Sequence, residues 1–168
     1  MKTRLTLATI ALAIILSIIA FYNYSKKKTP EYSLDRLEDA FQASDISKID
    51  PFITAKGRRV FDVLIQQKLP SDKPPTNYKQ TSYISDGKYY FRFRVPNKDG
   101  TDRYAFVFEK HGDYWHFDDV YIETVGDIPV GFTISYMLDN PNKAGFRLGL
   151  MNALAIIPKL LGANMDYD

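Results

Sequence analysis

The sequence predicts an α+β protein with an N-terminal transmembrane helix, then helices packed on a curved antiparallel sheet, and a C-terminal helix. Residues 5–25 form an uncharged, mostly apolar run, and apolar residues recur at helical spacing between positions 33 and 70. After residue 77 the apolar period changes to two, in four segments separated by turns that contain glycine. Helices followed by consecutive strands indicate segregated helix and sheet layers.

The uncharged run has the length of a membrane span. At about 1.5 Å per residue, roughly twenty residues cross a hydrocarbon core of about 30 Å. Lys2 and Arg4 precede the run and three lysines at residues 26–28 follow it. We therefore expect residues 1–28 to be a membrane anchor with basic flanks, which contacts the lipid bilayer through residues 5–25.

A cleaved signal peptide and a buried helix of a soluble protein are the alternatives to an anchor. Signal cleavage needs small residues at the last and third-last positions, and the best candidate site, after Ala20, has Ile18 at the third-last. The uncleaved anchor is therefore preferred. We expect the N-terminus in the cytoplasm and a single-pass protein of the inner or plasma membrane. Its soluble domain would lie outside the cytoplasm, although the positive-inside count slightly favours the opposite orientation.

The charge distribution argues against a nucleic-acid partner. All 20 acidic residues lie beyond residue 28, whereas five of the 22 lysines and arginines lie within residues 1–28, so the rest of the chain has a net charge of −3. Nucleic-acid binding needs a clustered basic surface. The lysines at residues 26–28 adjoin the membrane, where they would meet lipid headgroups.

The chain contains no cysteine. This excludes disulfides, thiolate catalysis, thiolate metal sites and a lipid-attachment cysteine. An exported domain without disulfides is more usual in bacteria than in animal ectodomains, so we expect a bacterial cell-envelope protein.

Two main helices are predicted before the sheet. Ser33 is the expected N-cap of the first, whose apolar stripe contains Leu34, Leu37 and Phe41 and whose exposed positions include Asp35, Arg36, Glu38 and Asp39. Residues 46–53 suggest a short helix disturbed by Pro51. Thr54 is expected to cap the next helix, which Pro70 ends before a turn-rich loop at residues 71–75.

Strands are predicted at residues 77–85, 88–95, 103–109 and 114–122, which would form an antiparallel meander. Because Asp119 follows Asp118 directly, the alternation breaks there and predicts a β-bulge. One face is expected to pack and the other to be largely hydrated. The inward side chains expected to fill the core are Tyr89, Phe91, Phe93, Tyr104, Phe106, Phe108, Trp115 and Phe117.

Two segments carry a family resemblance, the runs TPEYSLDRLEDAFQASDISKIDPFI and RYAFVFEKHGDYWHFDDVYIE. The first has a helix, a small-residue break and an Ile-Asp pair; the second has a turn glycine before a Trp and a closing strand. Together they resemble uncharacterised bacterial membrane-anchored domains of the nuclear-transport-factor-2-like and cystatin-like superfamily. The resemblance covers residues 29–123, implies a cone-like fold and supplies no catalytic residue.

Residues 124–168 depart from that resemblance and form a C-terminal extension. Residues 125–139 are compatible with a strand, a short helix or an arm. A helical stripe follows, in which Pro158 is expected to kink or end the helix; it comprises Phe146, Leu150, Met151, Leu154, Ile157 and Leu161. This helix could dock on the domain, bind a partner or second copy, or lie in the membrane interface.

Residues that could perform chemistry cluster near one turn. Tyr114, His116 and Asp118 share a strand face, and with His111 or Asp113 they could form a metal or proton-transfer site. Two histidines near a turn, without a third ligand at a recognisable spacing, are more typical of hydrated strand residues. We therefore assign no catalytic, cofactor-binding or metal-ligating residue, and we expect no cofactor.

The favoured function is a non-catalytic extracytoplasmic module that binds or assembles with other cell-envelope components. An envelope protein or a second copy would be its partner. The alternative is a small enzyme or ligand carrier that uses the interior of the cone-like fold. A pocket of a few hundred Å³ would favour the alternative, and a filled interior would favour the module.

Overall fold

The computed structural model describes residues 2–66, 78–98, 100–143 and 146–161. Its helices are α1 (Lys2–Lys26), α2 (Pro30–Ala43), α3 (Ala55–Gln66), α4 (Ile134–Asp139) and α5 (Phe146–Leu161). Its strands are β1 (Lys79–Ser85), β2 (Lys88–Asn97), β3 (Gly100–His111), β4 (Tyr114–Val125) and β5 (Ile128–Thr133). The α+β class is confirmed. The predicted helix end at Pro70 and the loop at residues 71–75 lie outside the described residues.

Helix α1 covers the uncharged run of the sequence. Among the described residues, no helix has both the length and the apolar character that crossing a membrane requires. The described side chains of α1 are mostly exposed, including Ile18 and Phe21.

Helix α2 begins four residues earlier than the sequence pattern predicts. Thr29 is its N-cap and accepts a hydrogen bond from the Tyr32 N–H, while Pro30 fills the first helical position, which needs no N–H. The predicted N-cap at Ser33 is therefore wrong. Ser33 lies inside the helix, and its Oγ donates to the Trp115 carbonyl oxygen at 2.6 Å.

The segment between α2 and α3 forms two 3₁₀ turns, Ile46–Lys48 and Asp50–Phe52, where the sequence suggested one short helix. The chain then runs beside β4, where Ile53 makes a parallel bridge to Phe117 and the Thr54 N–H donates to the Phe117 carbonyl at 2.9 Å. This contact covers a part of β4 that β5 does not reach. The predicted cap at Thr54 is confirmed, since its Oγ1 accepts from the Gly57 N–H at 2.9 Å.

The five strands form one antiparallel sheet in the order β1-β2-β3-β4-β5. The four predicted strands are present, and β2, β3 and β4 extend beyond their predicted ends. Residues 125–139 contain both a strand and a short helix, because β5 is followed directly by α4. The predicted bulge is also present: Phe117 pairs with Phe108 and Asp119 with Val107, which leaves Asp118 as the extra residue.

Aromatic rings fill the face of the sheet that the helices cover. Ring centroids lie 5.0 Å apart for Phe93 and Phe106, and 5.8 Å apart for Phe108 and Phe117. Of the eight side chains expected in the core, six are buried: Phe91, Phe93, Tyr104, Phe106, Phe108 and Phe117. Tyr89 and Trp115 are only partly buried and pack against this core.

The opposite face is less hydrated than the alternation predicts, because Ala105 and Val107 are buried there.

Helix α5 belongs to the same core. It contacts α2, α3, α4 and β4, and its buried side chains Ala153, Ile157, Leu160 and Leu161 join the cluster that contains Leu34 and Phe61. The docked arrangement is thus the one present. Pro158 lies inside α5, which continues to Leu161, so this proline does not end the helix.

The helical pattern of α2 predicts the wrong exposure for Glu38. It was expected to be exposed, yet only 8% of it is accessible, and its Oε1 has no hydrogen-bond partner among the described residues. Helix α2 packs against α5 as well as β4, so it buries more of its surface than one apolar stripe.

Candidate functional site

Among the described residues, a cluster of buried polar side chains lies at the bulge of β4. Asp118 and Asp119 are 3% and 1% accessible, although consecutive strand residues normally point to opposite faces. The extra residue of the bulge removes that alternation locally. We call this site the bulge cluster, which comprises Thr54, Lys56, Lys88, Asp118, Asp119 and Ser135.

Asp118 joins the start of α3 to the sheet. Its carboxylate accepts hydrogen bonds from Thr54 Oγ1 at 3.0 Å and Lys88 Nζ at 2.8 Å, and Lys56 Nζ lies 2.6 Å away. Thr54 is also the N-cap of α3, because its hydroxyl accepts from the Gly57 N–H. The same hydroxyl therefore links the helix start to Asp118.

Asp119 joins the start of α4 to the sheet. Its Oδ1 accepts from the Ser135 N–H at 3.2 Å and from the Val120 N–H at 2.8 Å, and Ser135 Oγ also donates to this carboxylate. Because α4 begins at Ile134, the carboxylate lies at the N-terminus of that helix, where negative charge is stabilising. Lys56 Nζ lies 3.8 Å from Asp119 and so bridges both acids.

The charges of the cluster are mutually compensating. Burial raises the pKa of Asp118, but hydrogen bonds from Lys56, Lys88 and Thr54 outweigh burial and lower it below its usual range. Burial also opposes the charge of Lys88, yet Asp118 and Glu109 raise its pKa on balance. Asp118 is thus a carboxylate held by three donors, which suits an electrostatic tie between helices and sheet.

The candidate residues from the sequence are separated into three groups. His116 lies near His111, with ring centroids 4.9 Å apart, and its Nδ1 is 3.3 Å from the Tyr114 carbonyl oxygen. Burial, with a smaller electrostatic contribution from His111, lowers the pKa of His116. Asp118 makes its hydrogen bonds to the bulge cluster instead.

Asp113 belongs to a third contact, near the end of α1. Its Oδ2 lies 2.7 Å from Lys28 Nζ, and hydrogen bonding to Lys28 lowers the pKa of Asp113. This ion pair connects the short segment between α1 and α2 to the turn between β3 and β4.

Metal binding finds no support within the described parts of the chain, where no group of three or more His, Asp or Glu side chains is arranged to hold an ion. In the bulge cluster the Lys56 ammonium group already lies between the two carboxylates, in the place that a cation would take.

The sequence pattern missed Lys56, Lys88 and Ser135. They lie on three different elements, and only the fold brings them to β4. The adjacent acids Asp118 and Asp119 were the one usable signal, because a break in alternation marks a bulge where side chains are redirected.

Comparison with protein-family models, with curated proteins and with solved structures finds no match for this chain.

Proposed function

We propose that the protein is a single-pass, membrane-anchored module of the bacterial cell envelope, whose cone-like domain lies outside the cytoplasm and binds other envelope components without catalysis. The observation that carries this proposal is the packing of aromatic rings on the covered face of the sheet. The proposal includes that this domain has the cone-like fold of the nuclear-transport-factor-2-like and cystatin-like superfamily.

Aromatic packing in the domain supports the proposal that the module binds its partners without catalysis. Small-molecule sites are usually concave cavities of about 300–1,000 Å³. Here the side chains on the covered face of β2, β3 and β4 contact one another, as in the edge-to-face pair of Phe91 and Phe108 at 5.5 Å. Helices α2, α3 and α5 join the same core. An enzyme or carrier that used this interior would need to displace packed rings.

The composition and exposure of α1 support the anchor. The run at residues 5–25 contains no charged residue. Phe21 is 71% accessible, and other large apolar side chains of the helix are exposed around it. Contiguous apolar surface of this kind is unfavourable in water and marks a contact with membrane or protein. A bilayer would cover all sides of the helix at once.

The junction between α1 and α2 supports a domain held near the membrane surface. Only residues 27–29 separate the two helices, and Lys28 is paired with Asp113. A short connection of this kind limits how far the domain can move from the end of the anchor.

Cysteine labelling tests the topology, because the chain has no cysteine of its own. Ser85→Cys places one thiol on the domain, and Thr3→Cys places one before the anchor. With a membrane-impermeant maleimide, we expect Ser85→Cys to react in spheroplasts and Thr3→Cys to react only after lysis. The reverse pattern would contradict the proposed orientation.

Native mass spectrometry of the purified full chain tests whether the domain holds a small molecule. We expect the mass of the polypeptide after detergent is removed. A stoichiometric small molecule bound to the domain would instead favour a carrier or enzyme.

A further inference from the structure

Three basic side chains form a row across the sheet. Lys79 on β1 pairs in register with Arg94 on β2, and Arg94 pairs with Arg103 on β3. All three are exposed, and they lie on the face opposite the core, because their neighbours Phe93 and Tyr104 are buried on the other face. We call these residues the basic row. Like charges at directly opposed positions repel each other and destabilise a sheet.

The basic row has no acidic partner within the described residues, unlike the other cations of this face. Arg92 Nε lies 2.6 Å from Glu123 Oε1, and Lys88 Nζ lies 2.8 Å from Asp118. The described residues therefore leave the positive charge of the basic row uncompensated, so this surface is electrostatically complementary to a negatively charged partner.

The row ends at Lys79, on an edge strand. Among the described residues no strand pairs with the outer edge of β1. The other edge strand, β5, is interrupted: Pro129 has no N–H to donate, and Gly131 adopts a φ of +70° where the pairing with β4 is irregular. By contrast, β1 is seven residues long and contains neither proline nor glycine.

We propose that the outer edge of β1 binds an extended acidic segment of a partner protein, which adds a sixth strand to the sheet. Neighbouring strands lie about 4.8 Å apart, so a residue of the added strand would continue the basic row beside Lys79. Main-chain hydrogen bonds provide the affinity of such strand addition, and side chains at alternate positions provide its specificity. This inference rests on the proposed binding function and names the chemistry of the partner.

The remaining positions of β1 define what else the segment carries. On the face of the basic row, Tyr83 stacks on Tyr90 with ring centroids 4.8 Å apart, which suits an aromatic or β-branched neighbour. On the other face, Ile84 is 65% accessible at the edge, which suits an apolar neighbour. An acidic side chain beside Lys79 and an aromatic side chain beside Tyr83 would therefore share one face of the added strand.

The position of the row favours a protein over a lipid headgroup. Arg94 lies six residues along β2 from Lys88, a distance of about 20 Å at strand spacing. Lys88 pairs with Glu109, near the β3–β4 turn that contains Asp113, the partner of Lys28. The basic row is thus at the end of the sheet remote from the anchor junction.

A binding titration of the full chain in a zwitterionic detergent tests the proposal. The probe is a dansyl-labelled peptide, Thr-Val-Tyr-Thr-Glu-Val-Glu-amide. One control peptide has glutamine for both glutamates, and a second has proline for the central threonine, which prevents strand pairing. We expect the first peptide alone to bind, with weaker binding at high salt, and to slow deuterium exchange at the amides of β1.

Protein variants locate the site. Lys79→Gln should weaken binding by about threefold to fivefold, the effect of one cross-strand charge pair. Lys48→Gln removes the same charge from an exposed 3₁₀ turn and should leave binding unchanged.

Four results of the binding titration would overturn the proposal. These are equal binding of the proline peptide, equal binding of the glutamine peptide, no binding of the acidic peptide at millimolar concentration, and stronger competition by sodium triphosphate than by unlabelled acidic peptide. The amides of β1 could instead be protected from exchange without peptide, to a degree that increases with protein concentration. This result would assign the edge to a second copy of the chain and would also overturn the proposal. Each of these results leaves the membrane anchor untouched, so failure here is distinguishable from failure of the proposed function.

Discussion

A β-carbon on Gly57 would lie 2.2 Å from the carbonyl oxygen of Phe117. Gly57 is in the first turn of α3, and Phe117 immediately precedes the bulge of β4. The helix therefore approaches the strand backbone more closely than any side chain permits. This contact and the hydrogen bond from the Thr54 N–H to the same carbonyl fix the start of α3 at the bulge cluster.

Replacing this glycine is expected to destabilise the domain. Alanine is favoured over glycine in a helix by about 1 kcal/mol, but the clash with the Phe117 carbonyl must move α3 or β4. We predict that Gly57→Ala lowers the free energy of unfolding by about 1 to 3 kcal/mol, the range for overpacked sites. Urea unfolding in detergent, followed by the fluorescence of the single tryptophan, measures it. Unchanged or increased stability would show that the contact is not maintained.

Neutralising Asp118 in the bulge cluster is expected to destabilise the domain. Asp118→Asn removes the charge that compensates Lys56 and Lys88. The side chains of these lysines are 40% and 30% exposed, so the expected cost is that of a hydrogen bond to a charged group, about 1.5 to 3 kcal/mol, and not that of a fully buried ion pair. We predict a loss of stability in that range by urea unfolding. Asp86→Asn is the matched control, since Asp86 is an exposed turn residue with a φ of 51°, which asparagine also tolerates. Similar effects of both substitutions would refute the structural role of the cluster.

The buried carboxyl group of Glu38 is expected to make the stability of the domain depend on pH. Burial, with smaller contributions from Asp35 and Asp39, raises the pKa of Glu38 from 4.5 to about 8. Between these values the folded state holds a proton that the unfolded state releases. Stability should therefore fall as pH rises through this window, by about 1.4 kcal/mol per unit, and level off above it.

Glu38→Gln should remove this slope and make the protein more stable at pH 8 than the unaltered chain. Asp39→Asn, an exposed change on the same helix, should keep most of the slope. Thermal unfolding at pH 5, 6.5 and 8 separates the two. An unchanged slope in Glu38→Gln would assign the pH dependence to other groups.

Trp115 is expected to matter less than a core aromatic residue. Its ring is partly buried and lies edge-to-face with Tyr89 at 5.7 Å. Full truncation of a buried aromatic costs about 3 to 5 kcal/mol, so for this rim position we predict about 2 kcal/mol for Trp115→Ala. Far-UV circular dichroism during urea unfolding measures it. A loss below about 0.5 kcal/mol, typical of surface sites, would place the ring outside the packed structure.

Local patterns predicted the elements of the fold better than their junctions. Strand alternation located β1 to β4 and the bulge, because buried and exposed positions alternate along a strand. The start of α2 was misplaced because Ser33 and Thr29 are both acceptable caps, and only Pro30 distinguishes them.

The contacts that define the candidate site could not be predicted in the same way. Asp118 is neutralised by Lys56 and Lys88, which lie on α3 and β2, so their proximity depends on tertiary structure. Glu38 has the polarity of a surface residue, and only the packing of α2 against several elements accounts for its burial. The basic row depends on strand register, which a one-residue shift would abolish.

Alkaline carbonate extraction combined with intact mass measurement tests the central claim most directly, since the proposed module requires an uncleaved anchor. After expression of the full chain in a bacterial host, we predict that the protein stays in the carbonate-washed membrane pellet. Its mass should be that of the complete 19.3 kDa polypeptide. Release into the carbonate supernatant, or a mature N-terminus near Phe21, would contradict the account.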